Sequence, residues 1–87
     1  MPKRFVKVAT QGRSDSPEWV TQFTVQYSVD GINWQAADDG RIFQANTDQN
    51  SIVTNTFEKP FIASVVRICP TAWNSHISMR LELYYIE

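Results

Sequence analysis

The chain has 87 residues, with eight Lys and Arg against nine Asp and Glu and a formal charge of -1. A chain of that length holds one domain and has no room for a second core. Its cations form no block, which excludes a phosphate-backbone binder, and no apolar run approaches the ~20 residues that a bilayer span requires.

Strand signals recur about every 8–12 residues, the spacing of an all-β sandwich or barrel. The first expected strand is Arg4 to Thr10, where Phe5-Val6-Lys7-Val8 favours an extended chain. The polar stretch from Ala9 to Val20 interrupts it, carrying Trp19 and reading Ala-Thr-Gln-Gly-Arg-Ser-Asp-Ser-Pro-Glu-Trp-Val. Two readings of this stretch stand side by side: an ordinary connection between strands, or a binding loop whose geometry a rigid sheet restrains. In the next strand, Val20 to Val29, Phe23, Val25, Tyr27 and Val29 alternate with Thr24, Gln26 and Ser28, the period of a half-buried strand.

Asp30-Gly31 signals a hairpin, because glycine accepts positive φ without a Cβ clash. Short strands are expected at Asn33 to Ala36 and Arg41 to Gln44, with a reversal at Asp38-Asp39-Gly40 between them. Asn46-Thr47-Asp48-Gln49-Asn50 reads as a loop whose Asn and Asp side chains bond their own backbone. Ser51 to Phe57 and Ser64 to Cys69 follow, with Glu58-Lys59-Pro60 expected to break the chain between them. Pro70 to Ser75 is expected to separate Cys69 from the last strand, Ile77 to Ile86. In that strand Ile77, Met79, Leu81, Leu83 and Tyr85 share one face.

The reactive side chains are few. Cys69 is the single cysteine, so no internal disulfide exists, and its place at a strand end reads as a small buried hydrophobe. One Cys and one His, His76, make no thiolate or imidazole metal site within one chain. No cofactor is expected, and His76 reads as a solvated loop residue. Trp34 and Trp73 read as core anchors. No nucleophile–base pairing, paired-carboxylate geometry or phosphate-cradling glycine loop is present, so a catalytic function is not expected.

Taken together and in order, Val8-Ala9-Thr10-Gln11-Gly12-Arg13, Tyr27-Ser28 with Asp30-Gly31 and Trp34, Phe43 with Asn46-Thr47-Asp48, Val66-Arg67-Ile68 with Pro70 and Trp73, and Ile77 to Tyr84 resemble the discoidin domain, also called the coagulation factor V/VIII type C domain. The resemblance implies a discoidin-like jelly-roll β-sandwich, galactose-binding-like, with loops at one end forming a binding rim. It covers the C-terminal part of the family's domain, so residues 1–87 are expected to form a single partial domain, truncated on the N-terminal side. The last residues, Tyr84-Tyr85-Ile86-Glu87, stand where the family usually ends Tyr-Gly-Cys.

The same resemblance implies a non-catalytic recognition module in cell adhesion, binding glycans, anionic phospholipids, or collagen and other extracellular proteins. Arg13 and Glu18 match positions that function in collagen-binding members, whereas those members' Trp on an earlier rim loop has no counterpart here. The candidate ligand-binding residues are Arg13, Asp15, Glu18 and Trp19: a planar fork of donors, two acceptors and a stacking plane. The alternative for Arg13 and Glu18 is a mutual surface ion pair. The small, acidic tip Ser14-Asp15-Ser16-Pro17 disfavours insertion into an anionic membrane, which leaves a glycan or extracellular protein ligand. Arg67 and Arg80 resemble family positions that hold the sandwich together.

A sandwich lacking strands exposes an unpaired edge and an uncovered apolar face, so a homodimer or higher homo-oligomer is expected. This makes self-assembly the alternative function. The resemblance implies an extracellular location. The N-terminus Met1-Pro2-Lys3-Arg4-Phe5 lacks the apolar segment of a secretion signal, which implies the cytoplasm if it is the native start.

Overall fold

Alternating apolar and polar residues let β1, Lys3–Gln11, and β2, Trp19–Ser28, each turn one row of side chains inward. The computed structural model describes residues 2–86; Met1 in the N-terminal reading and Glu87 in the C-terminal ending lie outside them. After β2 come β3 (Gln35–Ala36), a 3-10 turn (Ala37–Gly40), β4 (Phe43–Gln44), β5 (Val53–Ala63), β6 (Val65–Asn74) and β7 (Arg80–Ile86). The architecture is all-β, as the strand spacing implies.

The strands form two antiparallel sheets. In one, β1 lies between β5 and β7. In the other, β6 runs along the whole of β2, while β3 and β4 share the opposite edge of β2 in succession. Between the sheets lie the five phenylalanines of the chain. Phe23 stacks on Phe43 with ring centroids 5.3 Å apart, Phe43 meets Phe57 edge-on at 5.6 Å, and Phe57 meets Phe61 at 4.9 Å. Phe61 then stacks on Tyr27 at 4.2 Å and on Phe5 at 5.7 Å. This chain of rings passes through β2, β4, β5 and β1, so it joins the two sheets, and Val8, Val20 and Val25 fill in around it.

Two expected strand breaks do not occur. β5 continues through Glu58-Lys59-Pro60 because the ladder with β1 steps from Phe5↔Phe61 to Lys7↔Thr56, leaving Phe57 to Pro60 opposite Val6 alone. Pro60 has no N–H to offer, and a bulge is where a strand tolerates that. The turn at Asp38 holds the bulge. Asp38 and Asp39 take left-handed backbone angles, φ 49° and 57°, and the Asp38 carboxylate accepts the N–H groups of Glu58 at 2.9 Å and Lys59 at 2.8 Å. Likewise β6 runs through Pro70 to Asn74, with register shifts beside Gln22 that leave Thr21 on β2 and Thr71 on β6 without partners in the ladder.

Other expectations shrink. The short strands at Asn33 and Arg41 reduce to β3 and β4, and the last strand begins at Arg80. Trp34 is half-buried with the Arg67 guanidinium 3.8 Å from its ring centre, and Trp73 is 46% exposed, so neither is a core anchor. Cys69 is half-buried. On β7, Leu83 packs against the core while Leu81 and Tyr85, two residues to either side of it, stay 43% and 48% exposed; β7 is an edge strand, paired with β1 alone among the described residues.

Truncating Phe61→Ala removes the ring that touches three others, and a loss of about 3–5 kcal/mol is expected. Urea denaturation measures it; a loss below ~1 kcal/mol would mean that the ring chain does not hold the sheets together.

Candidate functional site

The connection from β1 to β2 is built to be rigid. Its base is closed by the Arg13 N–H donating to the Glu18 carbonyl at 2.8 Å, and its tip by the Glu18 N–H donating to the Ser16 carbonyl at 2.7 Å. Gly12 is buried beneath it. A Cβ there would lie 2.8 Å from the Trp19 Cβ and 2.9 Å from the carbonyl oxygens of Glu18 and Asp48, so the position has no room for a side chain.

Other segments then tie the loop down. Asn74 of β6 donates to the Pro17 carbonyl at 2.9 Å, and the Ser78 hydroxyl donates to the Glu18 carboxylate at 2.7 Å. Arg80 at the start of β7 donates through Nε to the Gly12 carbonyl at 2.8 Å, and through Nη2 to the Gln49 carbonyl at 3.2 Å and Asn50 Oδ1 at 3.0 Å. Arg80 therefore clamps the loop to the one after β4, which supports the scaffold role drawn from the resemblance.

That second loop is itself fixed. Asp48 behaves as the composition implies, accepting the N–H groups of Asn50 at 3.1 Å and Ser51 at 2.7 Å and the Ser51 hydroxyl at 2.6 Å. These bonds, the Ser51 hydroxyl first, hold its carboxyl below the usual range. Asn46 does more than a local turn: it is buried and its Nδ2 donates to the Thr10 carbonyl on β1 at 3.0 Å and to the Ser51 carbonyl at 2.9 Å.

Three of the four candidate residues meet. Arg13 Nε lies 2.6 Å from Asp15 Oδ1, and Nη1 lies 3.3 Å from Glu18 Oε1. The Arg13 and Asp15 side chains remain 49% and 71% exposed, while Glu18 is at 12%. Asp15 is held below the ordinary carboxylate range by Arg13, Glu18 is lowered first by the Ser78 hydroxyl, and the Arg13 guanidinium is raised by Asp15. The surface ion pair is thus real, and it presents a charged pair to solvent in a fixed pose. Trp19 stands apart: half-buried at the start of β2, its indole takes no part in these hydrogen bonds among the described residues.

Beside Arg13 lies an open depression of ≈ 390 Å³, lined by Arg13, Ser14, Ile77, Ser78, Met79 and Arg80. Ser78 and Asn74 were invisible as site residues in the sequence, because Ser78 is 60 residues from Glu18 and Asn74 is 57 from Pro17. Among the described residues no His, Cys, Asp and Glu side chains gather in a group of three, and no helix is long and apolar enough to cross a membrane.

The F5/8 type C domain model matches residues 1–83. The chain belongs to that family. Discoidin-2 of Dictyostelium discoideum is 46% identical over 82 residues, covering 94% of this chain and 32% of that protein. Neurexin-4 of Drosophila melanogaster is 47% identical over 87 residues, covering 95% of this chain and 7% of that protein. A solved structure of wild-type discoidin II from Dictyostelium discoideum superposes with a TM-score of 0.92 at 45% identity, covering 98% of this chain and 33% of that one. This F5/8 type C chain therefore has the discoidin-like β-sandwich fold and spans about a third of the discoidins it matches.

Folding lowers the pKa of the rim carboxylates Asp15, Glu18 and Asp48, so their stabilisation is present above the unfolded values, about pH 4, and is lost as pH falls through the folded ones. Melting temperature is expected to fall as pH drops below about 4, and to fall less steeply in Asp48→Ala; an unchanged slope in that variant, read by circular dichroism, would contradict the assignment.

Proposed function

We propose that this chain is a non-catalytic recognition module of an extracellular, adhesion-related protein and that it binds glycan through the β1–β2 loop. The observation that carries this reading is the pose of Arg13 and Asp15: both are open to solvent, paired at 2.6 Å, on a loop tied to β6, β7 and the segment before β7. Sugar hydroxyls both donate and accept, which suits a guanidinium beside carboxylates. A fixed loop also loses little entropy on binding. The adjoining depression, with Ile77 and Met79 among its lining residues, gives the apolar face of a sugar ring a place to rest. Glu18 then acts as a positioning acceptor for Arg13, and Trp19 as the half-buried root of the loop, with any exposed part of its ring available for stacking.

Self-assembly is the second reading, and unpaired edges favour it. Among the described residues β6 pairs only with β2 and β7 only with β1. Along these two strands Val65, Trp73, Leu81, Tyr85 and Ile86 are between 42% and 53% exposed. An open edge with apolar neighbours offers backbone groups to another edge, and a two-fold copy supplies one. Against it, the total surface of 5270 Å² is about the ~5,200 Å² that surface scaling gives a compact monomer of this mass.

Arg13→Ala is expected to abolish retention on a glycan array while leaving the melting temperature close to that of the unmodified chain, since the pair is exposed. Retention equal to the unmodified chain would sink the glycan reading. Sedimentation from low to high micromolar concentration is expected to show a dimer under the second reading, and a well-folded monomer throughout would remove it.

A further inference from the structure

We infer that the binding path continues past Arg80 into a second hollow on the outer face of the β5-β1-β7 sheet, so that the chain recognises an oligosaccharide and not a single sugar; this rests on the glycan reading above.

The hollow follows from the register. Val8 is fully buried in the core, so its neighbours Lys7 and Ala9, and with them Gln11, face outward. On β7, Tyr84 stands opposite Lys7, Glu82 opposite Ala9 and Arg80 opposite Gln11. Ala9 is the one short side chain in this outward row. Though it faces outward it is only 6% exposed, because taller side chains stand around it. The result is a depression of ≈ 300 Å³ floored by Ala9 and walled by Gln11, Ile52, Arg80, Glu82 and Tyr84. That is the lower end of the roughly 300–1,000 Å³ of ligand pockets, enough for one ring and not for a long chain.

Its walls carry the two kinds of contact that a sugar uses. Ile52 and Tyr84, 67% and 41% exposed, offer apolar surface for the C–H face of a ring. The Tyr84 ring is propped by Lys7, whose Nζ lies 4.8 Å from its centre. The Glu82 carboxylate has no hydrogen bond or ion pair among the described residues, so it is a ready acceptor for hydroxyls. Lys7 stands opposite Tyr84 and Arg80 opposite Gln11, so cations lie along the strands on either side of the Glu82 carboxylate and offset its charge.

Arg80 lines both hollows. Its Nε and Nη2 are engaged by Gly12, Gln49 and Asn50, which fixes the guanidinium as a rigid divider between them, while Nη1 makes no hydrogen bond among the described residues. A sugar seated beside Arg13 thus has a neighbouring place within reach, across one side chain held from three acceptors.

The test uses an array printed with matched mono-, di- and trisaccharides of glucose, galactose, mannose and N-acetylhexosamines. The unmodified chain is expected to bind at least one disaccharide about tenfold more tightly than the monosaccharide of the same series. Ala9→Leu, which fills the hollow, and Glu82→Gln, which keeps its shape, are expected to lose that tenfold and to bind the monosaccharide as before. Melting curves check that each variant is folded, and Glu82→Gln alone decides if Ala9→Leu is not. Equal binding of mono- and disaccharide by the unmodified chain, or an unchanged preference in Glu82→Gln, would overturn the second hollow and leave the first in place. Binding to no sugar on the array would overturn the glycan reading and this inference with it.

Discussion

The chain of aromatic rings between the sheets is the constraint on which the rest depends. A domain this small has little core to spare, and here most of it is the five phenylalanines with Tyr27. Because the chain of rings crosses between the sheets, from Phe43 of β4 to Phe57 of β5 and from Phe61 of β5 to Tyr27 of β2, neither sheet can slide without breaking a ring contact on the other. Two of the rings, Phe57 and Phe61, flank the bulge in β5, which explains why the bulge is secured by Asp38 from outside the strand. If the bulge shifted by one residue, one of the two rings would turn away from the core.

The rim inherits its rigidity from that core through polar links. Asn46 is buried and joins β1 to the loop after β4; Arg80 joins that loop to Gly12; Gly12 is pressed between the backbone of Glu18 and Asp48. Asn46 donates from one buried nitrogen to two segments, and Arg80 reaches three acceptors, so each link fixes the spacing of the segments it joins. What is left exposed at the end of this series, Arg13 and Asp15, is therefore presented in a set pose. A loop of this kind suits recognition, where the cost of ordering the binding groups is met in folding instead of in binding.

The chain belongs to the F5/8 type C family, and its clamped β1–β2 loop presents Arg13 and Asp15 to solvent. The outer edges of β6 and β7, which run from the rim along the two sheets, are different in kind: they carry exposed apolar residues, and among the described residues each strand is paired on one side alone. The two surfaces meet at Asn74 and Arg80, which lie on β6 and β7 and hold the loop that carries Arg13 and Asp15.

The sequence by itself determined the strand content, the positions of β1 and β2, the turn chemistry of Asp48, and the family, because alternation and turn residues act over a few neighbours. It also placed Arg13, Asp15 and Glu18 within one short loop, where their meeting is a local event. Only the tertiary structure decided that β5 and β6 run on through Pro60 and Pro70, since both prolines sit at ladder irregularities and the bulge at Pro60 is held by Asp38, some 20 residues away. It alone showed Trp34 lying under Arg67 and Trp73 left in the open. It alone brought Ser78, Asn74 and Arg80 to the rim from the far end of the chain. The division has a physical cause: periodicity reports which face of a strand is buried, but register, bulges and hydrogen bonds between distant loops depend on which strand lies alongside, and that is settled when the sheets pack.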